Sequence, residues 1–364
     1  MRIEVASGPE ALDAVRRALA GEIVAGLVPA GAPRRYLDAV APEAALDVPD
    51  AAVIVATSGS TGTPKGVELS RDAIAASVAA THARLGGAGL WVCPLPVQHV
   101  AGMMTIARGL LGGGGVRLVG PDLADLPVPD ARAYLSVVPA QLHRALEDAE
   151  TIGRLAEYAA VLVGGSAIPA GLRDRARERG VRVVTTYGMS ETCGGCVYDG
   201  VPLAGVRVTF EVGERIVLAG PMAFSGYRLD PGRTREVLDG DRVRTNDRGR
   251  LRDGRLRVAG RIDDVVISGG VNVDLADVQR HADAIWGVDP NRRVVVAAVP
   301  DPRWGQRVVA ATAGPVTLAE ARRELGAVLE PAAVPRDLRR LTCASLALAG
   351  KIDRAAVRAA WEGE

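Results

Sequence analysis

The stretch TSGSTGTPKG, from Thr57 to Gly66, follows the apolar run AAVIVA and decides how the rest of the sequence is interpreted. Five hydroxyl side chains alternate with glycines ahead of Lys65. Glycines let the backbone approach a ligand and expose N–H groups, hydroxyls add donors, and the lysine adds a compact charge. The loop therefore suits a polyphosphate, although it lacks the G-x-x-x-x-G-K-[ST] spacing of a Walker A loop.

Lys65 is one of two lysines in the chain, and the other is Lys351. Subtracting these two from the 44 basic residues leaves 42 arginines. Where any positive charge suffices, this chain uses arginine, so lysine is expected where a compact ammonium is needed. The two lysines are therefore candidates for chemistry, although composition alone leaves chance survival on the surface open.

The overall composition indicates a globular protein of two or three domains. The 364 residues exceed a typical single core, and 48% of them are hydrophobic. A net charge of +1 disfavours nucleic-acid or membrane-surface binding, since both require a basic excess. The sequence shows neither a signal-peptide core nor an apolar run of the ~20 residues that span a bilayer. We expect a soluble, cytoplasmic protein.

Cys193 and Cys196 form a C-x-x-C motif whose intervening residues are both glycine. A redox or zinc site is one interpretation. The sequence disfavours it because a second C-x-x-C is missing and a lone short motif has a high false-positive rate.

Apolar runs bounded by Gly or Pro alternate over the first part of the chain with segments that predict single helices, among them PAQLHRALEDAE (139–150). This alternation predicts an α/β fold with parallel sheets covered by helices. The arginine-rich segment 211–261 predicts hairpins and a small β subdomain. Residues 263–364 predict a compact α+β unit. The expected organisation is a large N-terminal domain over 1–262 and a small C-terminal domain over 263–364, with the boundary near Asp263.

The loop at Thr57 resembles the phosphate loop of the adenylate-forming acyl-CoA synthetase superfamily. Further segments that resemble motifs of this superfamily follow in its order: GGSAIP (Gly164–Pro169), TYGMSE (Thr186–Glu191), TND (Thr245–Asp247), GRIDD (Gly260–Asp264) and GKIDR (Gly350–Arg354). Two depart from the usual pattern, with Ser190 in place of Thr and Asn246 in place of Gly. Both lysines fall within these motifs, which agrees with the inference from composition.

The resemblance implies a two-step reaction. A carboxylate attacks the α-phosphate of ATP to give an acyl-adenylate and pyrophosphate, and the thiol of coenzyme A then displaces AMP. Lys351 is expected at the α-phosphate and the carboxylate, and Glu191 at Mg²⁺, a cation that prefers oxygen ligands. The residues expected to hold the β- and γ-phosphates are Thr57, Ser58, Gly59, Ser60, Thr61, Gly62, Thr63 and Lys65.

The resemblance also assigns the nucleoside. Asp247 is expected to bind the ribose hydroxyls with help from Arg261, and Tyr187 to stack on the adenine. The remaining nucleotide-binding positions are Gly164, Gly165, Ser166, Gly188 and Ser190. Core packing of Tyr187, and pairing of Asp247 with neighbouring arginines, are the structural alternatives.

In the superfamily the C-terminal domain swings between the two steps, so the resemblance implies a mobile domain with its pivot at Asp263. Gly269 and Gly270 match the segment that lines the thiol tunnel, where a side chain would block passage. Val271 stands where many relatives have glutamate.

Within the superfamily, LPVQHVAG and TYGMSETCGGCVYDG are most similar to the group that activates 2-succinylbenzoate in menaquinone biosynthesis. This similarity implies that His99 gates the acyl pocket and that CGGC supplies small residues to its wall. His99 could equally be structural, because a lone histidine is a weak signal. Only 56 residues precede Thr57, and this short N-terminal region leaves a possible homodimer to cover the exposed surface.

Three alternatives remain open at this point. Another aryl or short-chain acid could be the substrate. A non-catalytic acyl-nucleotide binding protein would have no need of Lys351. A kinase or ATPase using the phosphate loop would release ADP instead of AMP and pyrophosphate.

Overall fold

The computed structural model describes residues 1–58, 64–168, 171–289, 291–348, 351–352 and 354–361. Within these residues, three large sheets lie before residue 262, and a fourth sheet and a short hairpin follow it. The predicted α/β fold class is confirmed by this arrangement. None of the described helices is both long enough and apolar enough to span a bilayer.

The strands are β1 Ile3–Ala6, β2 Val24–Leu27, β3 Ala51–Ser58, β4 Pro64–Ser70, β5 Leu90–Cys93, β6 Val116–Leu118, β7 Ala133–Val137, β8 Ala160–Val163, β9 Val183–Met189, β10 Gly194–Tyr198, β11 Val201–Pro202, β12 Arg207–Glu211, β13 Arg215–Ala219, β14 Gly226–Tyr227, β15 Leu238–Asp239, β16 Arg242–Arg252, β17 Arg255–Arg261, β18 Val265–Ser268, β19 Val271–Asp274, β20 Val294–Asp301, β21 Gly305–Thr312, β22 Asp337–Arg340, β23 Ala347–Leu348 and β24 Lys351–Ile352. The α-helices are α1 Glu10–Leu19, α2 Arg34–Val40, α3 Arg71–Leu85, α4 Val100–Leu111, α5 Pro139–Ala145, α6 Ala149–Ala156, α7 Leu172–Glu178, α8 Pro231–Val237, α9 Leu275–Trp286, α10 Leu318–Gly326, α11 Cys343–Leu346 and α12 Arg354–Ala359.

The first sheet carries the phosphate-loop sequence between its third and fourth strands. Its order is β1–β2–β3–β4–β14, with β1 to β3 parallel and the later pairs antiparallel. The apolar run before the loop forms β3, and its residues 51–56 are buried, as the sequence predicted. The β3–β4 hairpin places Thr57 opposite Lys65, so the two ends of the loop sequence lie side by side.

The second sheet has the order β11–β10–β9–β8–β7–β5–β6. The strands from β6 to β9 are parallel, which confirms the prediction of buried parallel strands. Helix α3 leads into this sheet. It begins where the Ser70 hydroxyl accepts a hydrogen bond from Ala73 N–H and ends at Gly86, whose φ of 86° favours glycine.

One helix boundary differs from the sequence prediction. The segment PAQLHRALEDAE was expected to be a single helix, but α5 ends at Ala145 and α6 begins at Ala149. The Asp148 carboxylate accepts hydrogen bonds from the N–H groups of Glu150 and Thr151 and so starts the second helix.

A continuous apolar core joins the first two sheets. Side chains of α1, α4, β3, β4 and β10 contribute to it, including Val15, Met104, Val55, Val67 and Cys196. This packing fixes the first sheet, with its phosphate-loop strands, against the second sheet.

The third sheet is antiparallel throughout and is built from hairpins. Its order is β12–β13–β16–β15, with β17 on the other part of β16. The β subdomain predicted for 211–261 is confirmed, although the sheet begins slightly earlier, at Arg207.

The fourth sheet, β19–β18–β21–β20 with β22 beside β21, lies after Asp263. Two apolar clusters among the described residues consist only of side chains from 266–361. This separate core is what a C-terminal domain requires. The division at Asp263 and the mobility of this part stay predictions.

Candidate active site

Three side chains from distant parts of the chain meet beside the phosphate-loop hairpin. Lys65 is on β4, Glu191 is in the 3-10 turn Ser190–Thr192, and Tyr227 is on β14. Lys65 Nζ donates a hydrogen bond to Glu191 Oε1 and another, of 2.9 Å, to the Tyr227 hydroxyl. The same hydroxyl donates to Glu191 Oε1 over 2.7 Å. The predicted phosphate-binding cation and the predicted magnesium ligand are therefore in contact.

The turn that carries Glu191 is held on both sides. Thr192 Oγ1 accepts a hydrogen bond from Met189 N–H at 3.0 Å, and Phe224 N–H donates to the Glu191 carbonyl at 2.9 Å. The Glu191 side chain is 3% exposed and that of Lys65 is 19% exposed. A carboxylate buried to this degree needs a counter-ion, and here Lys65 supplies it.

A second group of interacting side chains lies around Tyr187, on the strand β9 that precedes the turn of Glu191. The Tyr187 hydroxyl donates to Asp247 Oδ2 at 2.8 Å, and Arg261 Nη1 lies 4.0 Å from Asp247 Oδ1. Burial and the Asp247 carboxylate raise the pKa of the Tyr187 hydroxyl, so it remains a hydrogen-bond donor. Thr245 Oγ1 accepts from Asp247 N–H and donates to Ile216 C=O, which fixes the strand. The structure thus brings together all three residues expected at the nucleoside.

The GGSAIP motif, which carries predicted nucleotide-binding positions, begins where β8 ends, beside β9. Gly164 follows the last residue of β8, and a Cβ atom there would lie 2.1 Å from Thr186 Oγ1. At Gly188 a Cβ would lie 2.0 Å from the Gly194 carbonyl oxygen. Gly165 and Ser166 are exposed beyond Gly164. These residues lie at the carboxyl edge of parallel strands, where open α/β sheets bind their ligands.

His99 immediately precedes α4, and its carbonyl accepts the hydrogen bond of Met103 N–H. Helix α4 reaches the CGGC segment, because a Cβ on Gly194 would lie 3.8 Å from Met104 Cγ. A gating role for His99 stays a prediction.

Both cysteines of CGGC are buried. Cys193 is 0% and Cys196 is 1% exposed, and both are free thiols in the apolar core. Burial raises the pKa of both thiols, that of Cys196 to about 12, which disfavours redox and metal chemistry. If CGGC contributes to a pocket wall, Gly194 and Gly195 are the residues that do so.

Gly269 and Gly270 form the two-residue turn between β18 and β19. Their φ angles are 60° and 82°, and Ser268 pairs with Val271 across the turn. Type I′ hairpin turns require positive φ at both central residues. A Cβ at Gly269 would also lie 2.5 Å from the Trp304 ring. Local geometry therefore accounts for both glycines, and their role at a thiol tunnel stays a prediction.

Several predicted site residues fall outside the described part of the chain. These are Gly59, Ser60, Thr61, Gly62 and Thr63, together with the side chains of Ser58 and Lys351. Near Lys351, the Arg354 guanidinium donates to Asp264 Oδ2 at 2.8 Å and to Val296 C=O at 3.1 Å. This contact ties the GKIDR motif to the predicted hinge.

Tyr227 is a site residue that the sequence motifs did not indicate. Its signal was slight: it is one of only six tyrosines in a chain with 3% aromatic residues. Within the described residues, no set of three or more His, Cys, Asp or Glu side chains is arranged to hold a metal ion. A Mg²⁺ role for Glu191 stays a prediction, and a single carboxylate is compatible with a cation that takes most of its oxygen ligands from water and phosphate.

The class of protein is given by a match to a protein-family model. The model of the AMP-binding enzyme family matches residues 9–227. The chain therefore belongs to the AMP-binding enzymes. The matched region contains Lys65, Tyr187, Glu191 and Tyr227.

Within this family, the chain is similar in sequence or fold to several known proteins. The chain is 39% identical, over 333 residues, to a probable 2-succinylbenzoate–CoA ligase of Mycobacterium tuberculosis, and the match covers 86% of each chain. Its fold is similar to that of o-succinylbenzoate CoA synthetase from Bacillus subtilis in complex with an acyl-adenylate intermediate, with a TM-score of 0.78 and 22% identity over 98% of this chain and 86% of that one. The same Bacillus subtilis protein in complex with ATP and magnesium ion gives a TM-score of 0.73 at 20% identity, covering 93% and 85%.

Proposed function

We propose that the chain is an AMP-forming ligase that activates 2-succinylbenzoate with ATP and transfers the acyl group to coenzyme A. One observation carries this proposal. Along β9 and the turn after it, Tyr187 holds Asp247, and Glu191 meets Lys65. These are the partners that a ribose at one end and magnesium-bound phosphates at the other would use. The mycobacterial relative supports the choice of acid.

The chain's own residues divide the work. Asp247 would accept hydrogen bonds from the ribose, and Lys65 would neutralise the β- and γ-phosphates. Glu191 would hold Mg²⁺, which, when bound, offsets charge on the phosphate oxygens. Lys351 would neutralise the acid's carboxylate and the α-phosphate as they meet. Coenzyme A would then replace AMP on the activated acyl group.

A second carboxylate on the acid needs a cation, and Arg108 on α4 is suited to that role. The residue is 4% exposed and lies over the Trp91 ring at 5.1 Å. Its Nε has no hydrogen-bond partner among the described residues, and no described acid forms an ion pair with it. A buried cation without an anion is costly, so an anionic substrate group is a natural partner.

Arg108 lies one helical turn after Met104, whose Cγ would be 3.8 Å from a Cβ on Gly194, so it is on the helix face near the segment expected at the acyl pocket. Burial raises the pKa of the Cys193 thiol, and the positive charge of Arg108 offsets part of that rise. Helix α4 thus presents His99 at its start and Arg108 near its end. We infer that this helix forms one wall of the acid site.

The experiment that tests the function is ATP–pyrophosphate exchange with a panel of acids. 2-Succinylbenzoate should support exchange, whereas 3-benzoylpropionate, which lacks only the ring carboxylate, should have a kcat/KM about tenfold to a hundredfold lower. Arg108→Met should remove this difference. Strong exchange with benzoate and none with 2-succinylbenzoate would assign a different acid. No exchange with any acid would favour a non-catalytic binding protein.

The role of Lys351 has its own test. Lys351→Ala should lower the rate of adenylate formation about a hundredfold or more, because the charge that offsets the meeting anions is lost. Preformed acyl-adenylate should still react with coenzyme A at close to the original rate. Lys351→Arg serves as the charge-preserving control. If Lys351→Ala slowed both half-reactions equally, the role of Lys351 would not be confined to the first step. That result would also contradict the movement of the C-terminal domain between the two steps.

A further inference from the structure

Lys65 and Glu191 cannot each remain paired with the other and also serve a bound nucleotide. The Lys65 ammonium that must reach the phosphates is bonded to the carboxylate that must hold Mg²⁺. Glu191 is 2% exposed, so losing Lys65 without gaining another cation would leave a buried charge unpaired. The two partners must therefore be exchanged together.

Tyr227 is placed to hold Glu191 through this exchange. Its hydroxyl donates to Glu191 Oε1 at 2.7 Å and accepts from Lys65 Nζ at 2.9 Å. The ring is 3% exposed, and Phe224 packs against it at a centroid distance of 4.9 Å. Burial and the Glu191 carboxylate raise the pKa of the Tyr227 hydroxyl, which therefore keeps its proton at neutral pH.

We propose that Tyr227 is a positioning residue that keeps the Glu191 carboxylate in place while it exchanges Lys65 for Mg²⁺. This inference rests on the proposed function, because it requires a nucleotide whose phosphates take Lys65 away. It predicts that nucleotide and Mg²⁺ bind as a coupled unit. Without Mg²⁺, the nucleotide must break the Lys65–Glu191 ion pair to bind. Without the phosphates, Lys65 stays bonded to Glu191 and Mg²⁺ has too few oxygen ligands.

The test uses binding alone, with the full chain, α,β-methylene-ATP and no acid or coenzyme A, measured by calorimetry. Glu191→Gln removes the charge that retains Lys65. In the presence of EDTA this variant should bind the analogue about tenfold more tightly than the unaltered chain. The gain in affinity that Mg²⁺ gives the unaltered chain should disappear in the variant.

Tyr227→Phe should weaken the binding of Mg²⁺. Outer-shell partners of metal ligands contribute tenfold or more to metal affinity, so the Mg²⁺ concentration for half-maximal binding of the analogue should rise about tenfold. Affinity in EDTA should change less than about threefold, because the phenol bonds Glu191 before and after Lys65 leaves and only the hydrogen bond that it accepts from Lys65 is lost. Tyr158→Phe, which removes a buried hydroxyl that donates to Pro127 C=O, is the matched control and should leave the Mg²⁺ dependence unchanged.

Each result of these binding experiments either supports or overturns the inference. An unchanged Mg²⁺ requirement in Tyr227→Phe, or weaker binding of the analogue to Glu191→Gln in EDTA, overturns the inference. If the binding shifts appear as expected but no acid supports ATP–pyrophosphate exchange, the inference about Tyr227 is supported and the proposed function is overturned. Failure of the unaltered chain to bind the analogue with Mg²⁺ overturns both. Equal thermal midpoints of the two Tyr→Phe variants would show that the shift does not come from misfolding.

Discussion

Two clusters of buried charged side chains lie on β4 and at the end of β14. They differ in the kind of hydrogen-bond acceptor that their cation contacts. Lys65 and Glu68 are on β4, and Tyr227 is followed directly by Arg228. Among the described residues, the Lys65 ammonium donates only to the side chains of Glu191 and Tyr227. Arg228 donates instead to Asp47 and to four backbone carbonyls, those of Val40, Ala41, Ala44 and Ala45.

The difference separates a structural charge from an exchangeable one. The guanidinium of Arg228, with a side chain that is 0% exposed, has all its donors committed and fastens the segment 40–47 to the first sheet. The Lys65 ammonium is held by side-chain groups that a phosphate can replace. Burial of a cation therefore does not by itself indicate function, whereas the kind of acceptor does.

The largest effect on stability is expected at Arg228. Arg228→Met leaves the carbonyls and Asp47 without their donor, so the free energy of unfolding should fall by about 3–5 kcal/mol. Urea unfolding monitored by circular dichroism measures it. Arg235→Met, at an exposed arginine of α8, is the control and should change stability by less than about 0.5 kcal/mol. Equal losses in the two variants would break the comparison.

Lys65→Met should show the opposite balance. Adenylate formation should slow about a hundredfold because a charge on the phosphates is lost. The free energy of unfolding should fall by only about 1–2 kcal/mol, because Glu191 loses one donor and keeps the hydrogen bond from the Tyr227 hydroxyl. Pyrophosphate exchange and urea unfolding on the same preparation give both numbers. A stability loss as large as that of Arg228→Met would mean that Lys65 is also a structural charge.

The pH dependence of stability also distinguishes the two clusters. Burial and the Asp47 carboxylate raise the pKa of Glu68 to about 8 from 4.5. The native state therefore keeps a proton that the unfolded chain releases above about pH 4.5, so the contribution of Glu68 to stability falls as pH rises from about 5 to 8.

Glu68→Gln should reduce this fall, and Glu43→Gln, at an exposed glutamate, should not. Urea unfolding at several pH values across that range measures both variants. Parallel stability curves for Glu68→Gln and the unaltered chain would show that Glu68 is ionised in the native state.

The sequence predicted the parts of this site that are local and missed those that depend on distant contacts. The glycine–hydroxyl loop, the rarity of lysine and the ordered motifs located Lys65, Glu191 and Asp247. Tyr227 lies 162 residues from Lys65, and only the pairing of β14 with β4 reveals the contact. Arg108 looks like any of the 42 arginines until burial without an anion distinguishes it.

The fold shows the same division. Alternation of apolar runs predicted the parallel strands, because strands buried on both faces need continuous apolar sequence. The break between α5 and α6 was missed, since Asp148 acts through a side-chain cap and interrupts no apolar pattern. Gly269 and Gly270 were explained by a tunnel, although the positive φ angles of their turn already require glycine.

The central claim is that ATP is cleaved between its α- and β-phosphates with transfer of AMP to the acid. The most direct measurement is chromatography of the nucleotides after incubation with ATP, Mg²⁺, 2-succinylbenzoate and coenzyme A. We predict one AMP for each acyl-CoA formed and no ADP. Accumulation of ADP, or acyl-CoA formed without AMP, would contradict the account.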